Sequence, residues 1–298
     1  MDRLLAVVVD GIIYSSYLFV IGLGLTLIYG VMRILNIAHG ALFTLGAYAA
    51  ASLVGLWLAG GRAPIGSLAM LLVAALIVGA VMGPLIERGL LRFLYAQDEV
   101  AIMLATYALF LILGDVVKLI WGVDPYLVPE PYGLLGNIEL GALSYPAYNL
   151  ILIGGAIVIG VALSAFLHNT RHGQLLTAVI HDREISAAMG IDVPRFYLVT
   201  FTAGCILAAV GGAIMAPTMS VVPGIGVDVI VLAFAVVVIG GLGSLPGAAL
   251  GAVIVGLARA VAVHYWPEVE LFVIYFVMAL VLVFRPKGLF SPPEARRI

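Results

Sequence analysis

Nine apolar stretches set the limits on this fold. They fall near 11–32, 39–59, 66–86, 100–121, 148–168, 196–216, 229–243, 246–265 and 268–284. A helix of about 20 residues, rising 1.5 Å per residue, crosses about 30 Å of hydrocarbon, and most of the nine reach that length. The segment 229–243 is short. It joins the next through the run from Gly240 to Gly247, so the pair reads as two spans or as one re-entrant, broken element. The expected count is therefore eight or nine. Lipid offers no partners to free peptide groups, so such spans form as helices. The expectation is an all-α, polytopic transmembrane bundle with discontinuous elements. It forms one domain over 1–298, including an outer loop at 122–147 and a cytoplasmic loop at 169–195.

Composition excludes a soluble domain carrying an anchor. Only 10% of residues are charged, 64% are hydrophobic, and mean hydropathy is +1.21. Many of the 35 glycines fall inside spans, where small residues let helix backbones approach closely. Gly79-x-x-x-Gly83, Gly243-x-x-x-Gly247 and Gly247-x-x-x-Gly251 fit that pattern. A net charge of −2 gives no basis for nucleic-acid binding. Cys205 is the single cysteine, which rules out an internal disulfide, and it reads as a small core residue. The amino end has one arginine but no small-residue cleavage site after a short apolar core, so the first span is expected to stay.

Orientation follows the positive-inside rule. With the 33–38 hinge, the loops 87–99 and 169–195 and the tail from Arg285 in the cytoplasm, ten of fourteen Lys and Arg lie inside, Arg296 and Arg297 among them. The carboxyl end is then cytoplasmic, and nine spans put the amino end outside.

The hinge places Arg33, Asn36 and His39 between two long apolar runs, a costly arrangement in lipid unless it meets water, protein or substrate. Asn36 and His39 are three apart and would share one helical face. Two roles fit: lining a passage or its gate near the cytoplasmic side, or tying helix ends with Asn36 as N-cap before Ile37. Thr26 and Tyr29 precede them and belong with the same candidate conduit. Tyr14, Ser15, Ser16 and Tyr17 lie together in the first span, where their hydroxyls either line a polar conduit or bond to nearby carbonyls, the second being the expectation for the two serines. Asp115 and Lys118 should pair and snorkel, and Asp115 is the only acid well inside a predicted span. Arg259 lies inside the 246–265 span, either snorkelling or reaching Glu268, Glu270 or another chain. His168 and His172 have i, i+4 spacing without an apparent third ligand nearby, so no metal site is assigned.

Two loops are long. The outer one holds Pro125, Pro129, Pro131 and Pro146 with Tyr126 and Tyr132, too proline-rich for a helix. It reads as a folded cap meeting an external partner, or as a lid on the bundle. The inner one predicts one amphipathic helix over 177–189, stopped by Gly190, with Ile185, Ala188 and Met189 on one side and Asp182, Arg183 and Glu184 on another. Pro194 follows and blocks continuation into the next span. Such a helix rests on lipid or docks a soluble partner.

At these residues a resemblance enters. The runs from Gly22 to Gly30 and from Asn36 to Gly40 resemble the signature of the LivH-type permeases, the membrane subunits of ABC importers for branched-chain amino acids. Asp182-x-Glu184, Met189-Gly190-Ile191 and Val193 with Arg195 are similar to that family's ATPase-facing loop. Gly240 to Ser244 with Pro246-Gly247-Ala248, and Arg285-Pro286-x-Gly288-Leu289, are similar to its later blocks. The order is kept over nearly the whole chain. Two departures stand out: 174–180 is neutral where the family carries more arginine, and Ser186 replaces a commoner alanine.

The resemblance implies a permease subunit forming half of a translocation pathway, with a LivM-like second permease. It also implies two cytoplasmic ATPases that bind ATP and magnesium, and a periplasmic solute-binding protein. The membrane would be the bacterial inner (plasma) membrane. Asp182, Arg183, Glu184, Met189 and Gly190 would then face the ATPase, and Tyr29, Asn36, His39 and Thr26 the pathway or gate. The chain is expected to bind no cofactor and to be no enzyme itself: its two lysines, Lys118 and Lys287, follow no phosphate-cradling glycine loop. The competing readings are a related urea or short-amide permease, and a stand-alone channel or secondary carrier.

Overall fold

The computed structural model describes residues 2–128, 130–141 and 143–290. Pro129, Arg296 and Arg297 lie outside the described residues. The main elements are α1 (Asp2–Met32), α2 (His39–Ala59), α3 (Ser67–Ile86), a one-turn α4 (Arg92–Leu94), α5 (Glu99–Trp121), strands β1 (Asn137–Leu140) and β2 (Leu143–Pro146), α6 (Tyr148–Asn169), α7 (Arg171–His181), α8 (Arg183–Ala188), α9 (Val193–Met215), α10 (Ile225–Gly240), α11 (Leu245–Tyr265) and α12 (Glu270–Phe284).

Among the described residues seven helices are long and apolar enough to cross a membrane. Two further apolar segments are shorter: α10, with 16 residues, and 272–284 of α12. The span count of eight or nine therefore turns on these short elements. Helix α1 starts at Asp2, well before the expected residue 11, because nothing in 2–10 breaks a helix. That extension carries Asp10 into the first span, so Asp115 is not the only acid within one. Helix α3 also runs further than expected. A π turn over Glu87–Leu91 joins it to α4, and Glu87, assigned by sequence to a loop, is buried and accepts a hydrogen bond from Tyr95 Oη at 2.7 Å.

Helix α1 is the axis of the bundle, packed on α6, α9, α10 and α11. Helix α3 packs on α9 through glycines: a Cβ on Gly79 would lie 2.4 Å from Ile206 Cα, and one on Gly83 2.6 Å from Thr202 Cα. Gly251 meets Val236 O in the same manner, joining α11 to α10. In a bilayer, packing replaces the hydrophobic effect as the force between helices, so these close approaches carry the assembly. Gly243 differs from the expected motif: it lies in the α10–α11 loop with φ of 82°, not on a helix face.

The outer loop corrects the all-α expectation locally. Residues 137–140 and 143–146 pair as antiparallel strands, Asn137 opposite Pro146. Tyr126 and Val221 exchange two backbone hydrogen bonds of 2.9 Å, and Tyr132 packs against Tyr148, so the loop is a folded cap on the bundle. At the other end the chain tail closes α10. Leu289 N donates to Ile239 O at 3.0 Å and Phe290 N to Gly240 O at 2.9 Å. These carbonyls are among the orphans that every helix leaves at its last turn.

Candidate functional site

The hinge is tighter than its sequence implied. Arg33 takes φ of 56°, and its N–H still bonds to Tyr29 O at 2.9 Å, which turns the chain out of α1. Asn36 is not the N-cap. Helix α2 begins at His39, behind Ala38, which has helical dihedrals and no capping side chain. The partner comes from another element: Thr106 on α5 accepts from Ile37 N at 3.3 Å, and its hydroxyl lies 2.9 Å from Met103 O and 3.4 Å from Leu35 O. Asn36 therefore precedes the helix and does not share a helical face with His39. It is fully buried, and neither of its amide atoms has a partner among the described residues.

His39 is also fully buried. Its Nε2 lies 3.0 Å from Ile21 O, tying the first turn of α2 to the middle of α1. Gly24 leaves the room for this ring: a Cβ there would lie 2.9 Å from His39 Cε1. Thr26 is buried with its hydroxyl unpartnered among the described residues, and Tyr29 is half-buried beside the Gly243 loop. None of these four lines the two cavities described below.

The inner loop folds as two helices, not one over 177–189. Asp182 breaks it: its carboxylate Oδ1 accepts from Glu184 N and Ile185 N at 2.9 Å each, which caps α8 and ends α7. Helix α7 buries Leu176 and Val179 in a cluster with Leu27, Ile28 and Met32 of α1 and Tyr197 of α9, so it is fixed to the bundle. Helix α8 ends in a Schellman motif: Ile191 N bonds to Ser186 O and Gly190 N to Ala187 O, both at 3.0 Å, with Gly190 at φ of 85°. Arg183 and Glu184 are exposed. Ile185 and Met189 are 60% and 77% exposed, an apolar knuckle that the chain itself leaves uncovered. Pro194 occupies the first turn of α9, where its missing N–H costs nothing, after Asp192 caps Arg195 N.

A cleft runs along α1 between α6 and α11. Its inner part, about 960 Å³, is lined by Phe19, Leu23, Gly160 and Ser244. Its outer part, about 340 Å³, is lined by Asp10, Tyr14, Tyr17, Asn149, Arg259 and His264 under the tyrosines of the cap. Within the larger cavity the Phe19 ring abuts Gly160, 2.8 Å from where a Cβ would stand. Arg259 pairs with Glu270, as one of the sequence readings had it, and its guanidinium carbon lies 3.7 Å from the Tyr14 ring centroid. His264 Nε2 lies 2.6 Å from Asp10 Oδ2. Burial, then hydrogen bonding and charge from Asp10, push the Tyr145 phenol up to about 12. The hydroxyl therefore stays protonated at neutral pH and can hold the cap to α1.

Sequence reading missed Asp10 and His264. The signal was present: Asp10, Tyr14 and Tyr17 are spaced i, i+4, i+7 and so share one face of α1. Other expectations are met. Ser15 and Ser16 bond to Gly11 O and Ile12 O in their own helix, and Lys118 pairs with Asp115 at 2.9 Å. His168 Nδ1 is 2.8 Å from Ser164 O, a contact within its own helix.

These features define a multi-pass helical membrane permease, with close-packed spans, broken elements and the α7–α8 appendage. The family model described as branched-chain amino acid transport system / permease component matches residues 7–282, and the chain belongs to that family. The high-affinity branched-chain amino acid transport system permease LivH of Escherichia coli K12 is 27% identical, over 97% of this chain and 96% of its own length. BraD of Pseudomonas aeruginosa, of the same description, is 29% identical over the same shares. A probable branched-chain amino acid transport permease LivH of Methanocaldococcus jannaschii is 29% identical over 85% of this chain and 79% of its own. No solved structure matches the chain.

Proposed function

We propose that this chain is the permease subunit of an ATP-driven ABC importer for branched-chain or related hydrophobic amino acids. The observation that carries the reading is the family match over residues 7–282, together with relatives named for that transport that align from end to end. In this reading a second, LivM-like permease completes the pathway. Two cytoplasmic ATPases bind ATP and magnesium, and a periplasmic binding protein delivers the cargo. With α10, α12 or both counted beside the seven long helices, the chain makes eight or nine passes of the plasma membrane with its carboxyl end in the cytoplasm, and nine passes put the amino end outside.

The geometry supports a division of labour. The α8 knuckle, with Asp182, Arg183, Glu184, Met189 and Gly190, is the contact for the ATPase. Through α7 its movement reaches the inner end of α1, where Thr26, Tyr29, Asn36 and His39 form the hinge of the gate. Alternating access then follows from rigid-body rocking of packed helices.

Reconstitution tests this. With both permeases, the ATPases and loaded binding protein in proteoliposomes, leucine uptake is expected to require ATP. Uptake by this chain alone without ATPases would overturn the reading, as would a complete system that moves urea but not leucine.

A further inference from the structure

We propose that the outer cavity beside α1 is a transit site that binds the zwitterionic end of an amino acid: its carboxylate at Arg259 and its ammonium at Asp10. The proposal rests on the importer reading above and adds the site within it. Three observations carry it. First, a cation and an anion line one cavity of about 340 Å³, within the range of small-molecule sites. Second, each has a partner of its own: Arg259 pairs with Glu270, and Asp10 Oδ2 lies 2.6 Å from His264 Nε2. A guanidinium has five N–H donors, and those not used on Glu270 can take a carboxylate. Third, Tyr14 and Tyr17 stand edge to face with centroids 4.6 Å apart, and the Tyr14 ring carries the Arg259 guanidinium at 3.7 Å, which holds that cation in the cavity wall.

A neutral amide such as urea has no use for separated charges, whereas a zwitterion meets both. Because Arg259 and Asp10 keep their protein partners, the cargo shares them and is held loosely, as a transit site requires. The apolar groove on the same flank of α1, lined by Phe19, Leu23 and Gly160, has room for the side chain.

Thiol labelling tests the proposal on the assembled importer. Cys205 is fully buried, so an added cysteine reports with little background. Thr218→Cys, or Met215→Cys if the first fails to assemble, places a thiol in the cavity wall. An impermeant thiol reagent added from outside is expected to label it. Millimolar leucine is expected to slow labelling at least fivefold, and isoamylamine, which lacks the carboxylate, is not. Adding Arg259→Gln should leave labelling but abolish protection. Equal protection by leucine and isoamylamine, no protection by leucine, or protection surviving Arg259→Gln would each overturn the site. ATP-driven leucine uptake in the same vesicles separates the two failures: uptake without protection sinks the site alone, and no uptake from the complete system sinks the importer reading.

Discussion

Gly190 shows what one residue contributes. Its φ of 85° lies where an L side chain is strained, yet a Cβ there would meet nothing within 4 Å. Substitution therefore costs backbone strain and no clash. Gly190→Ala should destabilise the α8 turn by about 1–2 kcal/mol, Gly190→Val at least as much, and Gly190→Asn less, since Asn tolerates the left-handed region. Hydrogen exchange at Gly190 and Ile191, whose amides close the Schellman motif, measures the order. The Tyr145 phenol gives a pH prediction. Its pKa is raised from 10.0 to about 12, so its bond to Asp10 contributes fully below pH 10 and is lost as pH climbs towards 12. Cap exchange, corrected for intrinsic rate, should be flat from pH 6 to 9 in the wild type. Tyr145→Phe should raise it throughout.

At the scale of elements, close packing predicts the effects of added bulk. Gly79→Val drives methyl groups into Ile206 of α9, whose backbone stands within 2.4 Å of the new Cβ. Overpacking of this kind costs about 1–3 kcal/mol. A lower melting temperature in detergent is expected, while the equivalent change at Gly154, where a Cβ meets nothing within 4 Å, is expected to be mild. The α8 knuckle predicts a different phenotype. Arg183→Ala and Glu184→Ala alter exposed side chains, so the fold should hold while ATP-coupled uptake falls several-fold. Full coupling in both variants would remove α8 from the ATPase contact.

These elements also show what the sequence could and could not disclose. Apolar runs located the spans because lipid demands them. Gly190 was legible as a stop because its chemistry is local. Asn36 was misread as a cap because Thr106, about seventy residues away, supplies the contact. Asp182 was taken for part of one helix face, although an aspartate there also caps; composition alone does not choose between the two. Asp10 escaped because the first span was started too late, and its pairing with His264 joins opposite ends of the chain.

At the scale of the whole molecule, α1 links everything: the outer cavity at one end, the hinge at the other, α7 and α8 beyond it. The tail reaches back into this frame. A chain ending at Lys287 would lose the amides of Leu289 and Phe290 that cover Ile239 O and Gly240 O. Buried carbonyls left bare cost about 1–3 kcal/mol each, so such a truncation should lower the yield of assembled complex after extraction, and one ending at Phe290 should not. The same contact has a bearing on biogenesis. Since α10 is finished by residues made after α11 and α12, the ribosome must have synthesised both of those helices before α10 can settle, and quality-control proteases would meet an open end until then.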